Sequence, residues 1–108
     1  DITYQDYDSY GNVKQTINKS GTHTSYLWSS DGLYLEAIIN NVTQNDINSV
    51  FSSLSVQERA GGLTDKKEKL LRQIPGAMVT TYTPSGKVKA EYDGKGNILH
   101  RYEYSTDK

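Results

Sequence analysis

Glycine constrains this chain more than any other residue. Four times it stands four positions after an aromatic residue: Tyr7 and Gly11, Trp28 and Gly32, Tyr82 and Gly86, Tyr92 and Gly96. Each time an apolar or aromatic residue follows two positions after the glycine, namely Val13, Tyr34, Val88 and Ile98. A further turn signal, Asn18-Lys19-Ser20-Gly21, falls between the first two units. Glycine reaches positive φ without the steric cost that a Cβ imposes, and tight hairpins need such a residue. The spacing therefore predicts a row of β-hairpins. An aromatic ends one strand, polar residues make the turn, Gly closes it, and the next strand begins. Asp8 and Asp93, each directly after a repeat tyrosine, fit as Asx residues whose carboxylates bond turn amides.

Between the turns the residues favour strands, expected near 3–8, 12–17, 22–28, 33–40, 78–83, 87–92 and 97–104. Strand alternation places Val13, Gln15 and Ile17 on one face, and Thr22, Thr24, Tyr26 and Trp28 on one face. It likewise groups Val88, Ala90 and Tyr92, and then Ile98, His100, Tyr102 and Tyr104. The middle of the chain follows another period. Ile47, Val50, Phe51 and Leu54 fall at i, i+3, i+4 and i+7, one stripe of a helix, with Thr43 to cap it and Asp46 in its first turn. Ser55 to Glu58 has capping-box form and fits one short extra turn, stopped by Gly61-Gly62. A second helix is expected from Thr64 or Asp65 to Gln73, ended by Pro75-Gly76, with Leu63, Leu70, Leu71 and Ile74 buried. The expected fold is α+β: an antiparallel meander with an inserted pair of short helices, divided as 1–42 hairpins, 43–75 helical insert and 76–108 hairpins.

The chain has 108 residues, the size of one small domain. Nine Tyr against one Phe suits strands with one wet face, because Tyr buries a ring and keeps a hydroxyl in water. A net charge of −1 supplies no basic field for nucleic acid, and no apolar run is long enough for a membrane helix. Absence of Cys removes disulfides, thiolate nucleophiles and Cys-ligated zinc. No signal peptide is visible, and the strand-like opening "DITYQDYD" suggests a piece of a longer protein. Asn18-Lys19-Ser20 and Asn41-Val42-Thr43 have the form of glycosylation sequons.

The heptads "YDSYGNV" (Tyr7 to Val13) and "YDGKGNI" (Tyr92 to Ile98) resemble the Tyr-Asp repeat of the Rhs/YD-repeat proteins. "WSSDGLY" is similar with Trp for Tyr, and "YTPSGKV" with Thr for Asp. "PGAMVTTYT" followed by such a unit resembles YD-repeat proteins of Bacteroidetes bacteria. The resemblance covers most of residues 4–42 and 76–104. It implies a secreted or cell-surface protein in which tandem hairpins wind sheet into a shell, enclosing a toxic C-terminal domain or serving adhesion and carbohydrate contact. This chain has too few repeats to close such a shell.

Candidate chemistry is sparse. Asp6-x-Asp8-x-Tyr10-Gly11 opens like a calcium loop, but Tyr10 and Ile17 stand where oxygen ligands are required. His23 and His100 lack a nucleophile motif, Gly94 to Asn97 lacks the helix of a phosphate loop, and Glu36, Glu91 and Glu103 are not placed around a substrate. No catalytic residue, metal or cofactor is assigned, and the chain reads as no enzyme. Two function classes remain. The first is a structural and interaction segment that propagates sheet and docks neighbouring repeats or another protein. Its structural residues are Tyr7, Asp8, Gly11, Gly21, Gly32, Gly86, Tyr92, Asp93 and Gly96. The second is a carbohydrate-binding module that stacks a glycan on Tyr26, Trp28, Tyr34, Tyr102 and Tyr104. A free strand edge also offers pairing with a second copy.

Overall fold

The computed structural model describes residues 2–104. Its strands are β1 (Ile2–Tyr7), β2 (Val13–Asn18), β3 (His23–Trp28), β4 (Leu35–Asn40), β5 (Met78–Tyr82), β6 (Val88–Tyr92) and β7 (Ile98–Arg101). They form one seven-stranded antiparallel sheet in chain order, a pure meander. Between β4 and β5 lie α1 (Gln44–Phe51), α2 (Val56–Ala60) and α3 (Asp65–Arg72). The helical excursion returns the chain beside the strand it left, since β4 pairs directly with β5.

Four of the five turns share one construction, and the fifth lengthens it. The amide of Gly11 donates to Asp8 O at 3.1 Å, and Asp8 N donates to Asn12 O at 2.8 Å, closing a three-residue loop. The same pair of bonds joins Asn18, Gly21 and Thr22, then Thr83, Gly86 and Lys87, then Asp93, Gly96 and Asn97. In the Trp28 unit Gly32 N donates to Ser29 O, but Ser29 N reaches Tyr34 O, one residue further on. That turn carries an extra residue, Leu33. All five glycines sit at φ between +75° and +91°. In the left-handed region a Cβ crowds the backbone, so a three-residue loop selects Gly there. The side chain that opens the turn secures it: Asp8 Oδ1 accepts from Tyr10 N and Asn12 N, both at 2.9 Å. Asn18 and Asp93 bond their turns in the same way.

A second regularity was invisible in the alternation pattern. Next to each aromatic-Gly turn the ladder slips by one residue, always on the outgoing strand. Tyr7 faces Val13 while Asp6 faces Gln15, leaving Lys14 extra. The same slip leaves Glu36 extra in β4, Lys89 in β6 and Leu99 in β7. A bulge aims its extra side chain away from strict alternation. The residue two after the glycine pairs with the repeat aromatic in three units, as Val13, Val88 and Ile98, but the lengthened turn makes Leu35 rather than Tyr34 the partner of Trp28. The extra residue beside Trp28 lies in β4, so Tyr26 and Trp28 stand two apart on an unbroken β3.

The helices cover one face of the sheet. Ala37, Ile39, Val79, Ala90 and Tyr92 pack from the sheet against Ile47, Phe51, Leu54, Leu71 and Ile74 from the helical segment. Leu71 and Ile74 are buried as expected, while Leu63 and Leu70 pack at the margin of the core. Helices of eight residues hold poorly alone in water, so this docking maintains them. Their starts follow local chemistry. Thr43 with Asp46, and Ser55 with Glu58, form reciprocal capping boxes, and Thr64 caps α3. The short turn expected after Ser55 is thus a helix of its own, making three helices rather than two. The last strand is shorter than expected. It ends at Arg101, so Tyr102 and Tyr104 lie past it, with Tyr104 Oη donating to Val88 O at 2.7 Å.

Candidate functional site

The aromatic residues expected to bind a glycan are spread over separate surroundings. Tyr26 lies opposite Ile38 on the face away from the helices, half-buried. On that same face the pairing continues through Thr80 and Glu91 to His100 in β7. Tyr102 joins this row at its far end: its hydroxyl donates to Glu91 Oε1 at 3.2 Å, and its ring lies 5.9 Å from His100. Trp28 is committed elsewhere, its indole N–H donating to Val13 O at 2.7 Å. Tyr104 lies under the Lys87 ammonium, 4.9 Å from the ring centroid. Tyr34 lines an open cleft.

That cleft sits at the turn end of the sheet, between the β3–β4 and β5–β6 hairpins. It has a volume of about 340 Å³ and is walled by Tyr34, Leu35, Leu63, Tyr82 and Pro84, with Glu36 and Lys89 also lining it. Glu36 and Lys89 are two of the bulge residues, so the slip in each hairpin supplies a charged side chain to the same hollow. Burial pushes the Glu36 carboxyl above its ordinary value, opposed by the amide of Leu63 and by Lys67. Burial likewise raises the Tyr82 phenol, with Glu91 adding to it. Over the edge of the cleft, toward Gly86 and Leu33, the hollow continues for about 280 Å³. These are exposed apolar surroundings: Leu33 is 70% and Tyr34 48% exposed.

Behind Glu36 a second cavity, about 410 Å³, runs between the sheet and the helices, past Leu27, Trp28, Phe51 and Lys67. Lys67 is almost fully buried. Its ammonium donates to the carbonyls of Arg59 at 3.0 Å and Gly61 at 2.6 Å, and it lies 5.5 Å from the Phe51 ring centroid. Burial lowers its pKa. A cation at the C-terminus of α2 satisfies carbonyls that the helix leaves unpaired. Lys67 therefore fastens the α2 strap to the core.

The opposite end of the sheet is tied by charge. Glu68, on α3 and 3% exposed, accepts from the Tyr92 hydroxyl at 2.8 Å. Lys89 approaches it at 3.4 Å and Arg101 at 3.9 Å. Arg101 also donates to the Tyr92 hydroxyl at 2.6 Å, and the Arg72 guanidinium stacks 4.8 Å from the Tyr92 ring centroid. Burial raises the Tyr92 pKa, reinforced by the bond to Glu68. Tyr92 is thus the repeat aromatic drawn into the core, whereas Tyr7 stays 53% exposed.

Glu68 and Lys67 were not foreseen, since a charged residue on a helix ordinarily faces water. The bulge slots could have been found by counting. Lys14, Lys89 and Leu99 each stand seven residues after their repeat aromatic, and Glu36 eight after Trp28 because of Leu33. His23 Nδ1 is buried and has no hydrogen-bond partner among the described residues, and His100 is exposed. Among the described residues no three His, Asp or Glu side chains gather as metal ligands, and no helix is long and apolar enough to cross a membrane.

In comparisons with known proteins the chain matches no family model, no curated protein and no solved structure, so its likeness to YD-repeat proteins stands on its own heptads.

Proposed function

We propose that this protein is a non-catalytic interaction segment of a secreted or cell-surface YD-repeat protein, working by propagating sheet and docking neighbouring repeats or partners. One observation carries the reading. The repeat unit is structural as well as textual: aromatic, turn opener, left-handed Gly and outgoing bulge recur four times in register along one meander. A sheet built this way extends by adding hairpins at its sides. At one side β7 offers its outer backbone, with Ile98 and Leu99 about half-exposed beside it. Unpaired strand edges recruit further strands through main-chain hydrogen bonds.

The test uses a synthetic peptide with the sequence of residues 87–104, added to isotope-labelled protein. Amide exchange and NMR shifts should report new protection along β7 or β1, and Leu99→Lys, which charges the edge, should weaken it at β7. Protection confined to the helices, or none at saturating peptide, would exclude strand addition.

A second reading, glycan binding, is favoured by the Tyr34 cleft, where aromatic and apolar walls meet a carboxylate. A glycan array separates it from the first. A defined hit that Tyr34→Ala abolishes without unfolding supports it; the absence of any hit removes it.

A further inference from the structure

The turn end of the sheet makes one contact between its first two hairpins and leaves the counterpart open between the next two. The β1–β2, β3–β4 and β5–β6 hairpins all turn at this end, because every second strand of a meander runs the same way. Between the first two, Tyr10 lies over Gly32 so closely that a Cβ on that glycine would be 2.5 Å from Tyr10 Cγ. The Tyr10 hydroxyl donates to Ser30 O at 3.1 Å, and Asn12 Nδ2 donates to Gly32 O at 2.7 Å. One turn thus offers a phenol ring, and the next offers a bare glycine and a carbonyl to receive it.

Position by position, Ser29, Ser30, Asp31 and Gly32 correspond to Thr83, Pro84, Ser85 and Gly86. A Cβ on Gly86 would meet nothing within 4 Å. The residue that should cover it, in the place of Tyr10, is Asp31. Its short side chain is held inside its own turn by Ser29 Oγ at 2.6 Å and Leu33 N at 3.1 Å. The hollow beside Gly86, continuous with the Tyr34–Tyr82 cleft, lies where the ring would go.

We propose that this cleft binds a tyrosine side chain presented on a tight turn of a partner protein, the same group that Tyr10 presents to Gly32 within the chain. The walls suit a ring: Tyr34, Leu35, Tyr82 and Pro84 offer apolar and aromatic contact. Pro84 holds the position in its turn that Ser30 holds in the β3–β4 turn, so its carbonyl is the counterpart of the one that accepts the Tyr10 hydroxyl. Glu36 and Lys89 bring opposite charges to the cleft, so its lining carries no excess of one sign to favour a charged guest over a neutral one. Docking here would also cover Leu33, an apolar side chain of the lengthened turn that is 70% exposed. Neither outer strand takes part, so this site and strand addition at the sheet edges stand or fall separately.

The probe is p-cresol, the side chain of tyrosine, titrated into labelled protein and followed by amide NMR. Saturable shifts are expected at Tyr34, Leu35, Tyr82, Ser85 and Gly86, with intermolecular NOEs from the ring to the Gly86 α-protons. Toluene, which lacks the hydroxyl, should bind about three- to tenfold more weakly. Asp31→Tyr places a ring in the Tyr10 position of the second hairpin and should compete with p-cresol, weakening it at least about tenfold. Shifts centred elsewhere, no shifts up to the solubility limit, or undiminished binding in folded Asp31→Tyr would overturn the proposal. Should that variant fail to fold, the NOEs in the unaltered protein decide, and their absence from Gly86 overturns it equally.

Discussion

The Tyr92 hydroxyl donates to the buried carboxylate of Glu68 across 2.8 Å, joining the last full repeat to helix α3. Tyr92→Phe keeps the ring and removes that donor from a carboxylate that is 3% exposed. Lys89 and Arg101 remain beside the carboxylate, so the loss is that of one hydrogen bond to a charged group, about 1.5–3 kcal/mol. Urea unfolding should show a loss of that size. Glu68→Gln combined with Tyr92→Phe should cost less than the sum of the two, because both remove one interaction. Strict additivity would mean that the contact contributes nothing.

Two glycines with the same backbone conformation should respond differently to alanine. Gly11 has φ +84° and open space around a Cβ, so Gly11→Ala carries only the backbone penalty, about 1–2 kcal/mol. Gly96 has φ +81°, but a Cβ there would lie 2.7 Å from Arg72 O. Arg72 Nε also donates to Gly96 O at 3.0 Å, so the turn cannot easily step away. Gly96→Ala should therefore lower the melting temperature clearly more than Gly11→Ala. Equal losses would show that α3 does not press on this turn.

Glu36 makes a pH prediction with a definite sign. Its carboxyl is raised above the ordinary 4.5 in the folded protein, chiefly by burial. The protonated form therefore suits the native state, and that stability is lost as pH rises through the raised pKa. Glu36→Gln keeps an acceptor for the Leu63 amide and has no charge to bury. The variant should gain melting temperature relative to the unaltered protein between pH 4 and pH 8. A difference independent of pH would contradict the burial argument.

Acid should act in the opposite direction on the turns and caps. Asp93 is held below its ordinary 3.8 by the amides of Asn97 and Lys95, and Asp46 by the amide and hydroxyl of Thr43. Depressed carboxyls stabilise above 3.8, and that contribution disappears as pH falls through the folded pKa. Thermal melts below pH 3.8 should show a steep decline that Asp93→Asn and Asp46→Asn each make shallower. An unchanged slope in both variants would assign acid unfolding to other groups.

The parts legible in the sequence were those governed by near neighbours. Gly11, Gly32, Gly86 and Gly96 turn the chain because the conformation they adopt is decided within four residues. Thr43, Ser55 and Thr64 start helices for the same reason. Misreadings came wherever a distant contact decided. Alternation groups Tyr26 with Trp28 but does not record that the Trp28 indole is held by Val13 O in β2. Tyr34 stands two after its glycine like Val13, Val88 and Ile98, yet Leu33 lengthens the turn and Leu35 takes the place opposite Trp28. Glu68 and Lys67 look like solvated helix charges, yet one is buried by Tyr92 and the other by the carbonyls of Arg59 and Gly61. The cleft escaped notice because it depends on what Asp31 fails to reach, and no local pattern records that.

Seven is an odd number, and this gives the meander a polarity at its borders. β1 and β7 point the same way, so a copy laid alongside by translation would meet its neighbour in parallel, against the antiparallel grain of every existing pair. A half-rotation about the sheet normal continues that grain between identical chains, setting β7 against β7 with both helical layers on one side. A linked hairpin arriving from elsewhere in a longer chain faces no such restriction. The parity of the strands thus denies antiparallel growth to like chains related by simple translation.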